Sequence, residues 1–170
     1  MAWLGPSAWA ASLTYTAESV LIAAFPDLAA GRLSLTSEID PRYNCIAWAA
    51  GTNQRWWWPF PVNLPGNSWP SGAPREETKE SFRQAFESIG YIEVQVLGND
   101  DAEQVAIFVS ADGTPTHAAY RAGPTEDWCS KLGRESDIEH EHLAGLEGGA
   151  YGTATVFMER RRASVDQKLH

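Results

Sequence analysis

The sequence predicts an α+β fold in which N-terminal helices pack on an antiparallel sheet, and three observations carry that reading. Apolar residues recur at helical spacing up to about residue 90 and at a period of two beyond it. Short turn-forming stretches separate the later segments, which implies antiparallel neighbours. The 170 residues, 44% of them apolar and 8 of them Trp, suffice to bury a core without disulfides or metal. A single domain over 1–170 is therefore expected, with a flexible tail from about 161.

Helical periodicity begins in "TAESVLIAAFPDLAAG", where Thr16 suits the N-cap and Pro26 ends the first piece. "SLTSEIDPRY" then leads through Pro41 to Asn44, a good N-cap for "CIAWAAG", which closes on Gly51. Cys45 thus takes the first helical position. Residues 52–76 follow, where Pro59, Pro61, Pro65, Pro70 and Pro74 exclude a regular helix or a central strand. Four tryptophans in that stretch argue for an ordered loop rather than a linker. "REETKESFRQAFESIGY" places Phe82, Ala85, Phe86 and Ile89 at helical spacing, with Gly90 as the stop. From Tyr91, "YIEVQVLG", "EQVAIFVS", "PTHAAYRAG", "EDWCSKLG" and "YGTATVFMER" read as strands. Between the last two, "SDIEHEHLAGLEGG" reads as a short helix starting near Ser136 or Asp137.

A net charge of -9 disfavours nucleic acid and anionic membrane as partners, since both require a positive face. The basic run "ERRRASVDQK" reads as a solvated tail. Two cysteines are too few for a disulfide framework, so a reducing compartment is expected. The first twenty residues carry no basic region followed by a long apolar core, and no window approaches 18 apolar residues. A cytoplasmic protein is the expectation, with export by a specialised route left open.

A thiol titrates near pH 8.5 and becomes a nucleophile near neutrality when a helix start and an imidazole favour its thiolate, as a rule of about that magnitude. Cys45 occupies such a start, and His117 lies on a later strand among small residues that leave it accessible. Cys at a helix start with His on a later strand is the plan of a Cys/His acyl-transfer site. Each alone reads more readily as a core residue, and it is the two together, in this order and on these elements, that point to the site. A zinc site from Cys45, Cys129, His117 and His140 lacks any CxxC or HxxxH spacing, so neither metal nor cofactor is expected.

The order "YNCIAWAAG", "THAAY", "DWCSKLG" resembles the core of papain-like cysteine peptidases and of the bacterial amidases of CHAP and NlpC type. That resemblance implies a papain-like architecture with Cys45 as nucleophile and His117 as general base. From Tyr43 to Met158, with "WWWP" and "KLG....IEH", the chain looks closer still to a family of small bacterial domains that brings no established activity. A third, orienting residue must accept a hydrogen bond from His117; Ser130, Asp127 and Asp137 qualify, and the ammonium of Lys131 does not. Ser130, thirteen residues after His117, suits a neighbouring strand. An oxyanion would find the Cys45 N–H together with the Asn44 side chain or the Tyr43 hydroxyl, although Asn44 also serves as N-cap. Trp56, Trp57, Trp58 and Trp69 offer walls for a cleft, with two of the Trp run equally suited to covering a helix. The two resulting readings are a cysteine hydrolase or acyltransferase acting on an amide bond of a peptide or protein, and a catalytically silent module whose Trp loop holds a cognate protein or peptide partner.

Overall fold

The computed structural model of the protein describes residues 17–163. It is α+β, built on a seven-stranded antiparallel sheet in the order β1-β8-β7-β6-β5-β9-β4. The strands are β1 (Leu33–Leu35), β4 (Ile92–Val94), β5 (Ala102–Val109), β6 (Pro115–Arg121), β7 (Trp128–Lys131), β8 (Asp137–His140) and β9 (Thr153–Arg161). A separate parallel pair, β2 (Trp56–Trp57) with β3 (Asn67–Ser68), belongs to the Trp-rich loop. Helix α1 covers 17–24, α2 is Cys45–Ala49 and α3 is Lys79–Glu87.

Strand β5 explains why the sheet must be covered on both sides. Its sequence runs nearly without polar interruption, as a strand buried on both faces requires. Val105 and Ile107 join Cys45, Ile46, Trp69, Phe82 and Phe86 in one apolar cluster; Ala106 and Phe108 join Leu28, Trp128, Ile138 and Leu146 in another. Period-two alternation thus divides one strand between two cores. Helices α2 and α3 lie in the first cluster, and α2 packs on β6 and β7. Leu21 and Ile22 of α1 and Leu28 of the 3-10 turn Pro26–Ala30 serve the second.

Four expectations change. The segment after Ser136 is strand β8, in which Ile138 and His140 face one way, followed by a 3-10 turn at Leu143–Leu146. Its partner β1 extends the sheet in a stretch that carries too few residues to show alternation. Strands β4 and β5 are consecutive but do not pair, because the nine-residue β9 lies between them and leaves the three-residue β4 at the edge. The beginning of the basic run belongs to β9, where Arg160 bonds Glu103 and the carbonyl of Ile89. Thr16 and residues 164–170 lie outside the described residues. Among the described residues, no helix is long and apolar enough to cross a membrane.

Candidate functional site

Asn44 sets the geometry at the start of α2. Its backbone is extended, and its Oδ1 accepts from Ala47 N at 3.0 Å and from Trp57 N at 3.1 Å. Its Nδ2 donates to Trp57 O at 2.9 Å. One side chain therefore caps the helix and pins the Trp loop to it. One Nδ2–H and the Oδ1 are thus committed to structure. Asn44→Ala is expected to cost about 2–3 kcal/mol, a cap plus buried loop bonds, read as a fall in the urea midpoint. Tyr43 is similarly committed, since its hydroxyl donates to both carboxylate oxygens of Asp137 at 3.0 and 2.8 Å.

Cys45 sits at the first position of α2, buried in the first cluster. Burial pushes its thiol up to about 11, although the backbone N–H of Ala118 and the charge of Lys131 oppose the shift. A five-residue helix has too few aligned peptides to overcome desolvation. The Ala118 contact places the thiol beside β6 at the residue following His117. His117 is itself fully buried, stacked on Tyr151 at 4.2 Å and edge-on to Phe108 at 5.2 Å. Ala118 faces the first cluster with Cys45, whereas His117 faces the second beside Phe108, and no hydrogen bond joins thiol and imidazole.

A buried polar chain runs from His117. Its Nε2 lies 3.0 Å from Ser130 Oγ, which lies 2.9 Å from His140 Nε2; His140 Nδ1 lies 3.0 Å from the carbonyl of His142. The protons follow from the far end. A carbonyl only accepts, so His140 Nδ1 carries a hydrogen, and burial disfavours a second one. His140 Nε2 is therefore an acceptor, Ser130 donates to it, and Ser130 Oγ accepts from His117 Nε2–H. Burial and the neighbouring His140 hold His117 down to about 3, so it too carries one proton. Its Nδ1 is left as a bare lone pair, and that atom has no hydrogen-bond partner.

The residues proposed from sequence are thus sorted by the fold. Ser130 meets His117, whereas Asp127 pairs with the exposed Arg32 at 2.7 Å, and the buried Asp137 accepts from Tyr43 while its backbone N–H donates to the hydroxyl of Ser37. Trp69 is buried against Phe82 at 5.1 Å, and Trp57 packs on Trp69 and Phe86. Their rings cover α3, which satisfies the apolar face of that helix. Trp58 joins them, edge-on to Phe82, with its indole N–H on Glu77. Trp56 alone of the run turns away, donating to Pro41 O and lying under the Arg134 guanidinium. Among the described residues no trio of His, Cys, Asp or Glu is arranged to hold a metal.

Two participants were missed: His140, hidden by the helical reading of β8, and Tyr151, in a glycine-rich turn. The alternation "SDIEH" is the signal that marks the first.

The match of residues 34–159 to the domain-of-unknown-function family DUF7689 spans every element just described from β1 to β9, save part of β1 and the end of β9. The chain belongs to the DUF7689 family. No curated protein and no solved structure matches it. Within this DUF7689 domain, Cys45, His117, Ser130 and His140 all fall inside the matched region.

Proposed function

We propose that the domain is a cysteine hydrolase or acyltransferase of papain-like plan, acting on an amide bond of a peptide or protein. The observation that carries this reading is the bare Nδ1 of His117. A buried acceptor without a partner costs about 1–3 kcal/mol, and a histidine retained only for packing has no need to incur it. A proton acceptor has that need.

The chemistry starts from a neutral pair, since burial disfavours both the thiolate and the imidazolium. As Cys45 Sγ attacks the carbonyl carbon, its proton passes to His117 Nδ1, a step that requires the two side chains, which face opposite sides of β6, to be brought within reach of one another. The new imidazolium keeps its Nε2–H on Ser130, which holds the ring through His140. Nδ1–H then protonates the departing amine, the C–N bond breaks, and the acyl group remains on sulfur. Water or another acceptor, deprotonated by Nδ1, releases it. A hydroxyl orients the ring but stabilises the cation less than a carboxylate does, which fits the depressed basicity of His117.

Iodoacetamide labelling of native protein, read by mass spectrometry with Cys129 as internal control, tests the reading. Cys45 is expected to label with a rate that climbs continuously above pH 7, and His117→Gln is expected to slow it about tenfold or more. Gln retains a donor for Ser130 and removes the base. Equal labelling of both cysteines, or an unchanged Cys45 rate in the variant, sinks the proposal.

A further inference from the structure

A second feature lies just outside the start of α2. The β7–β8 hairpin turns through Gly133 and presents Arg134 at its tip, 5.3 Å from the Trp56 ring. Between the hairpin and the Trp loop opens a cleft of about 430 Å³, with Trp56, Phe60, Leu64 and Pro65 as apolar walls. Two cations face it. Arg42 is neutralised by Asp40 at 2.6 Å, but Arg134 makes no ion pair among the described residues. In a chain with 22 acidic against 13 basic residues, a cleft of opposite local sign is not a product of composition.

The chemistry specifies the ligand. A guanidinium lying on an indole keeps its N–H fork free at the rim and suits a planar two-oxygen anion. The adjoining apolar walls suit a side chain or ring attached to that anion. Leu64, one of the apolar walls, is 42% exposed. We infer that this cleft binds a carboxylate attached to an apolar group, as at the C-terminal end of a peptide with a large apolar last residue. The cleft stands as a binding site by itself; that its occupant is a substrate for Cys45 rests on the function proposed above, and only Tyr43 and Asn44 separate Arg42 of the cleft from Cys45.

Calorimetric titration with N-acetyl-phenylalanine and with its primary amide tests the assignment. The acid is expected to saturate the protein and the amide to bind about tenfold or more weakly, and Arg134→Gln is expected to abolish the difference. Arg134 is exposed at a hairpin tip, so this variant retains the fold. Equal binding of acid and amide overturns the proposal, as does an unaltered preference in Arg134→Gln, or no saturation by the acid at about 10 mM. Competition by inorganic phosphate as strong as by the acid would also overturn it, since an anion without an apolar group would then suffice. Cys45→Ala is expected to bind the acid as wild type does. Binding of the acid in a protein whose Cys45 proves inert would leave this inference standing and remove only the hydrolase.

Discussion

Acidification from pH 7 to pH 5 is expected to strip several kcal/mol from the stability of the fold, and His117→Gln is expected to remove a large part of that loss. The cause is the buried chain through Ser130. His117 is held down to about 3 in the folded protein, below its ordinary value of 6.5, and His140 shifts in the same direction. Unfolded, each takes a proton as the pH falls through about 6.5; folded, His117 refuses it over this range and burial disfavours it at His140. Stability is therefore complete above about pH 6.5 and falls below it by up to about 1.4 kcal/mol per pH unit for each histidine. Asp40 does not confuse the window, because Arg42 holds its carboxyl at about 2 and its contribution is lost only as the pH falls from about 4 toward 2. Urea unfolding at pH 7, 6 and 5 reads the effect. A wild-type midpoint that stays flat over that range, or one that falls equally in His117→Gln, would mean that the imidazole is not held neutral by its surroundings.

The same chain shows why the sequence disclosed some of this site and concealed the rest. Cys45, Asn44 and α2 were legible because capping is local: an Asn, an apolar run and Gly51 suffice to place them. The pairing of His117 with Ser130 was legible from strand order and spacing, since β6 and β7 are neighbours with Ala119 opposite Ser130. His140 was not, because four residues of strand followed at once by "LAGL" mix periods of two and 3.6, and only pairing with β7 decides between them. The Trp run shows another limit. Adjacent indoles in an irregular loop follow no period, so whether each meets α3 or solvent depends on bonds from Asn44, Pro41 and Glu77 that no local pattern encodes. Burial is the least legible property of all. The helix start suggested an activated thiol, whereas the three-dimensional environment makes desolvation dominant at both Cys45 and His117.

The turn that covers His117 yields the other large effect. Gly152 adopts φ +74°, and a Cβ there would lie 2.1 Å from the carbonyl oxygen of Val109 and 2.8 Å from Ser110 Cα. Those atoms are backbone at the end of β5, beside the register shift that lets β9 pair with it, so they have little room to yield. Gly149 also has a positive φ, of +52°, but a Cβ there meets nothing within 4 Å. Gly149→Ala is thus expected to cost about 1 kcal/mol, the conformational term alone. Gly152→Ala adds the clash and is expected to cost about 3 kcal/mol or more. The difference separates close approach from backbone preference, and equal urea midpoints for the two variants would refute the close approach. The functional consequence runs through Tyr151, whose carbonyl accepts from Thr116 Oγ1 at 2.5 Å and whose ring lies on His117. Moving that turn lets water reach the imidazole and relieves the desolvation that holds it neutral. In the folded fraction of Gly152→Ala, His117 is therefore expected to titrate upward toward its ordinary value in the NMR pH profile, while Gly149→Ala leaves it depressed.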